Sequence, residues 1–222
     1  MAICWNATIG QLDTEFVFAP ERYSARRSAH LLETTETVPL HEVAQLIKST
    51  ANPAQTDPSG KYVVLDTNHA VEGRIQFNSQ LVKGDVVGSV KRPVQAGCVM
   101  ISRLRTYLRQ IAFVDDGFTD RCKVPVVCSS EFYILGPIQD GLSIAFLVPY
   151  LLSEPVQQVF ANAQEGGHHP RIHANTLSEL RVPVKLLQLR ERLSERTIEA
   201  IRLLRQTEAI FEECAALVRE QG

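Results

Sequence analysis

From residue 186 to residue 219 the chain contains neither glycine nor proline. A stretch this long without a breaker predicts one continuous α-helix, roughly 50 Å long at 1.5 Å per residue. Leu186, Leu189, Leu193, Ala200, Leu203, Ile210, Cys214 and Leu217 follow alternating three- and four-residue spacing, interrupted by Arg196 and Thr207. Ile201, Leu204, Phe211 and Val218 form a second stripe beside that seam. The apolar face is wide, and so long a helix cannot bury all of it against the preceding residues. It calls for a partner helix, in cis or from a second chain, with Leu193, Leu203, Ile210 and Leu217 in the seam. Ordinary core packing is the competing reading. The seven cations and seven acids between residues 185 and 220 form a solvated face, not a stripe for a polyanion.

The other 184 residues suffice for one domain, so the expected division is a globular unit at 1–184 and the helix at 185–222. A hydrophobic fraction of 45% and a charged fraction of 22% describe a soluble globular protein. A formal net charge of −2 argues against a wholesale polyanion binder. It does not exclude a local basic face. Between residues 83 and 109 stand six cations, Lys83, Lys91, Arg92, Arg103, Arg105 and Arg109, against the single acid Asp85. Five scattered cysteines without a Cys-x-x-Cys pair argue against disulfides or a zinc knuckle and fit a reducing cytoplasm. The N-terminus lacks the basic-then-apolar pattern of a secretory signal. No apolar run reaches the roughly 20 residues of a membrane span.

Taken in order, residues 1–12 read as a strand and turn, and 20–32 as irregular or weakly helical. Residues 39–48 carry Leu40, Val43, Ala44 and Ile47 at helical spacing, with Thr37 as a cap. Residues 49–60 are a polar loop. Short strands with turns follow, at 61–65, 73–77, 98–102, 111–114, 124–128 and 131–135, with a turn and strand within 83–90 and a turn at 114–117. This is a mostly antiparallel plan. Residues 142–152 and 153–163 read as helices, the second capped by Ser153. Residues 181–184 close the unit with a strand. The fold class is therefore α+β, a mixed and mostly antiparallel sheet domain followed by a long coiled-coil helix.

Residues 102–109 are the richest in chemistry: Arg103, Arg105 and Arg109 with Tyr107 among them and no acid. In extended chain Arg103, Arg105 and Tyr107 share one face, with a turn or bulge near Thr106. Guanidinium groups and an aromatic on a rigid element suit phosphates and base edges. The bland reading is an edge strand guarded by charge, with one arginine held by an acid such as Asp85.

The order of motifs adds to this. An early Val-Pro-Leu-His-Glu-Val at 38–43 is followed by Gly-Arg-Ile at 73–75 and Ser-Arg-Leu-Arg-Thr-Tyr-Leu-Arg-Gln-Ile-Ala at 102–112. Cys-Ser-Ser-Glu-Phe-Tyr-Ile-Leu stands at 128–135 and Pro-Tyr-Leu-Leu-Ser-Glu-Pro at 149–155. Gly-Gly-His-His-Pro-Arg-Ile at 166–172 and Leu-Ser-Glu-Leu-Arg-Val-Pro-Val at 177–184 then lead into the long helix. The ordered set resembles a target-recognition domain of the DNA specificity subunits of type I restriction–modification systems, from about residue 20 onward. Such subunits usually carry two recognition domains and two helical regions, and this chain has one of each. It departs from the pattern after Val184, where Lys185-Leu-Leu-Gln-Leu-Arg replaces a second proline and a Glu-Gln pair.

The resemblance implies recognition of double-stranded DNA without catalysis. The chemistry would belong to a methyltransferase (modification) subunit and a motor/nuclease restriction subunit, with homodimerisation rebuilding the two-domain form. No cofactor and no metal are expected. The residues agree: Asn52-Pro53-Ala54 is not an Asn-Pro-Pro-aromatic motif, and neither Glu-x-Lys nor Gly-x-x-x-x-Gly-Lys occurs. The expected DNA-facing residues are Lys83, Lys91, Arg92, Arg103, Arg105, Tyr107, Arg109, Ser129, Ser130, His168, His169 and Arg171. The alternative is a detached recognition part of, or an enzyme in, another restriction or defence system, the enzyme being a hydrolase using His168/His169 with Ser130; no elbow glycines flank that serine. His168, His169 and His173 lack a neighbouring ligand set for metal.

Overall fold

The computed structural model describes residues 36–76, 81–166 and 169–220. The expectations for residues 1–12 and 20–32, the last residue of the strand expected at 73–77, and the placement of His168 lie outside them. Strands are β1 (Thr37–Pro39), β2 (Ala44–Ile47), β3 (Lys61–Leu65), β4 (Ala70–Val71), β5 (Arg74–Ile75) and β6 (Leu81–Lys83). They continue with β7 (Lys91–Val94), β8 (Val99–Ser102), β9 (Ile111–Phe113), β10 (Val126–Ser129), β11 (Phe132–Pro137) and β12 (Arg181–Pro183). Helices are α1 (Pro53–Thr56), α2 (Asp116–Cys122), α3 (Leu147–Leu151), α4 (Glu154–Asn162), α5 (Ala174–Ser178), α6 (Val184–Gln188) and α7 (Arg190–Glu220).

Two four-stranded sheets, ordered β6-β3-β10-β7 and β2-β11-β8-β9, face each other, flanked by the small pairs β1-β12 and β4-β5. Only the β3–β10 pairing within the two larger sheets is parallel. The second sheet is apolar on both sides. Met100, Ala112, Phe132 and Ile134 pack against Val63, Leu65, Val94 and Cys128 of the first sheet. Val99, Ile101, Tyr133 and Leu135 pack against Phe146, Leu147, Leu151, Val156 and Phe160 of the helical layer. The period of two puts alternate residues of β8 and β11 into different cores, so these strands read as continuous apolar runs.

The helix expected at 39–48 is not formed. Leu40 opens a 3₁₀ turn and Ala44–Ile47 pairs with Ile134–Pro137 of β11. Leu40, Val43 and Ala44 are buried, so helical spacing marks the apolar positions here without fixing the conformation. A ten-residue periodic run is too short to hold helix against a sheet edge that offers four residues of ladder. Residues 114–117 do not form a simple turn either, because α2 starts at Asp116. The helix expected at 142–152 is confined to α3, and the long C-terminal run breaks once, at Leu189, between α6 and α7. The strand expected within 83–90 lies one turn later, as β7. Among the described residues no helix is long and apolar enough to cross a membrane.

Candidate nucleic-acid interface

The strand registers bring separate parts of the chain to one end of the two sheets. Lys91 at the start of β7 is opposite Ser129 at the end of β10. Phe132 at the start of β11 is opposite Ser102 at the end of β8. The β8–β9 connection, the β10–β11 turn and the segment 169–172 therefore meet there. Their backbones are stitched directly: Arg103 N donates to Glu131 O (2.9 Å), Ile172 N to Arg103 O (2.9 Å) and Arg105 N to Pro170 O (3.0 Å).

The arginine stretch is not extended. Arg105 and Arg109 both hold left-handed backbone (φ 49° and 53°) and bracket a 3₁₀ turn at Thr106–Leu108. The anticipated turn at Thr106 is real, and it cancels the expected alternation. Thr106 is buried and its hydroxyl accepts a hydrogen bond from Gln164 Nε2. Tyr107 and Leu108 form the exposed tip, at 61% and 48% exposure. Non-glycine residues in left-handed conformation are uncommon and tend to sit where the surroundings over-determine the backbone.

Glu131 organises this ridge. Arg103 Nε donates to its Oε2 at 2.9 Å, while Arg171 donates through Nε to Oε2 (3.0 Å) and through Nη2 to Oε1 (2.9 Å). The Arg171 guanidinium first, then Arg103, hold the Glu131 carboxyl down to about 2, against the upward push of partial burial. Arg103 is thus paired, but with Glu131 rather than Asp85. Arg171 Nη1 also reaches His169 O at 3.1 Å. Arg105 Nη2 donates to His169 Nδ1 at 3.1 Å, so in this contact the neutral ring carries its proton on Nε2. His169, weighed with Ser130 as a hydrolytic pair, has that nitrogen occupied. The buried Tyr133 hydroxyl donates to Ile172 O at 3.0 Å and fixes the base of the loop.

The remaining candidates are distributed unevenly. Lys91, Ser129 and Ser130 adjoin the ridge through the β7–β10 register and the β10–β11 turn. Arg92 turns inward, its Nη1 near Ile47 O at 3.5 Å. Arg109 turns away, with Nη2 on Leu152 O (2.7 Å) and Nε facing Glu72 (3.6 Å). Lys83 is opposite Lys61, at the other end of its sheet from Ser129. Among the described residues no cluster of histidine, cysteine or carboxylate is arranged to hold a metal ion. Sequence reading missed Glu131, whose one signal is being the acid between Ser129-Ser130 and a strand, within reach of arginines that only the fold brings near.

On α7, Leu203, Leu204, Ile210, Phe211, Leu217 and Val218 are exposed, from 43% to 73%. Leu193, expected in the seam, instead packs on the core of the helical layer, because the first turns of α7 run across that layer.

No family model matches the chain, and no curated protein matches it. Solved structures do. One is from work on complex assembly and conformational transition of the type I R-M system, with a TM-score of 0.57 and 22% identity over 82% of this chain and 47% of that one. Another is the HsdS subunit from Thermoanaerobacter tengcongensis, with a TM-score of 0.54 and 21% identity over 82% of this chain and 46% of that one. The chain spans about half the length of these matched chains. At such identities the likeness is one of fold: this chain has the fold of part of a type I specificity subunit.

Proposed function

We propose that this chain, on the fold of a type I specificity subunit, is a non-catalytic protein that reads one half-site of double-stranded DNA. The observation that carries this reading is the ridge where residues 103–109, 129–131 and 169–172 converge. Arg103 and Arg171 are held rigidly by Glu131, and Arg105 and Tyr107 stand beside them without an acidic partner among the described residues. A clamped guanidinium suits phosphate positioning, and a guanidinium without an acid suits a base edge.

Residues 1–184 are the recognition unit and 185–222 the assembly unit in this reading. Two copies pair through the exposed stripe of α7 about a two-fold axis, with Leu203, Ile210 and Leu217 in the seam. Each is about half exposed in the single chain, so covering it contributes about 1 kcal/mol, roughly half of what full burial of such a side chain gives. Charge favours antiparallel pairing: Arg190, Arg192, Arg196, Arg202 and Arg205 outnumber Glu191, Glu195 and Glu199 in the first half of α7. Glu208, Glu212, Glu213 and Glu220 outnumber Arg219 in the second. The dimer is a cytoplasmic scaffold for a methyltransferase subunit and a motor/nuclease restriction subunit.

The test is duplex binding followed across salt concentration. A logarithmic slope of several units reports release of counterions by several phosphate contacts. A flat salt response, or no binding with or without the methyltransferase, overturns the DNA-reading role.

A further inference from the structure

Beyond residue 201, α7 has no buried residue among those described. Two ion pairs nevertheless bind its middle to the sheet domain. Arg205 grips Asp115 with both terminal nitrogens, Nη1 on Oδ1 at 2.6 Å and Nη2 on Oδ2, and both side chains are at least four-fifths covered. Arg74 Nε donates to Glu208 Oε1 at 2.9 Å. Asp115 occupies the cap position of α2, yet its carboxylate makes no capping hydrogen bond and is committed to Arg205. Gly117 leaves the guanidinium its seat: a Cβ there would lie 2.7 Å from Arg205 Nη1. Ser194, Ile201, Arg205 and Glu208 follow seven-, four- and three-residue spacing, which keeps them on one helix face. The ion pairs extend the buried contact face of Ser194 and Ile201 by two further turns.

Both pairs are tied to the ridge by one short strand. β9 begins two residues after Arg109 and ends two before Asp115. Gly73, next to Arg74, brackets β9 with hydrogen bonds from Gly73 N to Ile111 O (2.7 Å) and from Phe113 N to Gly73 O (3.0 Å). Glu72, on the other side of Gly73, faces Arg109. One edge of the sheet therefore holds the reading turn at one end and the helix at the other.

We propose that Asp115–Arg205 and Arg74–Glu208 form a latch that fixes the angle between α7 and the reading ridge, and so sets the spacing and helical phase of the two half-sites. The proposal rests on the paired-reader function above. Without the latch the helix is held only as far as Ile201 and pivots there. Leu217 is about 24 Å beyond that point at 1.5 Å per residue, so a tilt of roughly 10° carries it about 4 Å. One base pair of spacer amounts to about 3.4 Å of rise and roughly 35° of rotation. An error of that size is read as a wrong spacer. These are positioning residues: none lies on the ridge.

The test uses the full chain and duplexes carrying either one half-site or two inverted half-sites, with the spacer varied one base pair at a time. Asp115→Asn combined with Arg74→Gln releases the latch. Exchanging charges, Asp115→Arg with Arg205→Asp, offers restoration of one pair. We expect the wild type to prefer its best spacer over its neighbours by about tenfold, ~1.4 kcal/mol, and the released variant to bind all three within about twofold. Affinity for a single half-site and the sedimenting mass stay unchanged. The charge exchange recovers part of the preference. An equally sharp optimum in the released variant overturns the latch. So does a parallel loss on single and double sites, which reports mere destabilisation. A wild type without any two-site optimum overturns the paired reading itself, and the latch with it, and the wild-type profile alone distinguishes that failure.

Discussion

Arg171 closes on Glu131 through two parallel hydrogen bonds, Nε to Oε2 and Nη2 to Oε1, at 3.0 and 2.9 Å. The two residues are 40 positions apart, and the pair fastens the segment after α4 to the turn between β10 and β11. Glu131 titrates near 2 in the folded chain, below the ordinary glutamate value of about 4.3. A lowered carboxyl contributes stability above its unfolded value and loses it as pH falls through the folded one. We therefore expect Glu131→Gln to lower the urea midpoint at pH 7. The gap to wild type should shrink as pH falls from about 5 towards 2. A gap that stays constant over that window would show that the charge is not what stabilises.

Arg105 differs from its neighbours in having no carboxylate partner among the described residues. Arg105→Ala keeps the same Cβ in the left-handed conformation, so the backbone strain does not change. We expect a loss of about 1–3 kcal/mol in DNA affinity, with relaxed preference at one base position. Stability should change by no more than about 0.5 kcal/mol. Equal affinity across a full set of target variants would remove Arg105 from base reading. Arg103→Ala should weaken both binding and stability, because it also takes a partner from Glu131.

Leu203 and Ile210 are 48% and 59% exposed in the single chain. Replacing both with glutamate therefore costs the domain little. It should convert a dimer into a folded monomer that binds one half-site weakly. Sedimentation at tens of micromolar checks the first point and helical circular dichroism the second. A wild-type chain that sediments as a monomer at that concentration would rule out the homodimer.

The thiols give an independent view of the same seam. Burial pushes Cys128 up to about 12 and raises Cys98 as well. Cys128 is fully buried and its thiol is held protonated, so maleimide should not label it until the domain unfolds. Cys214 is exposed on α7, between Ile210 and Leu217. Its labelling should slow as protein concentration rises and the partner helix covers it. A rate independent of concentration would separate Cys214 from the interface.

Much of the fold is legible in the sequence because its strands are short, apolar and bounded by turn residues. β3, β8, β10 and β11 stand within a residue or two of where periodicity and breakers put them. Residues 39–48 misled because Leu40, Val43 and Ala44 satisfy helical spacing and are buried, yet the ladder to β11 decided the conformation. The site is legible only in part. Arg103, Arg105 and Arg171 are visible as cations, but Glu131 acquires meaning only when residues 40 apart in sequence meet. The inward turn of Arg109 to Leu152 O has no local signal either. On α7 the spacing of Leu203, Ile210 and Leu217 marks one apolar stripe, and all three side chains are exposed in the single chain. Leu193 has the same spacing but is partly buried, because the helical layer lies beneath it.

The most direct test is selection of bound duplexes from a random library by the full chain, alone and together with a methyltransferase subunit. We expect an enriched inverted repeat of two identical half-sites with a fixed spacer, bound by two copies of the chain. Enrichment of no sequence in either arm, or of one unpaired motif bound by a single copy, would contradict recognition of a spaced palindrome by a homodimer.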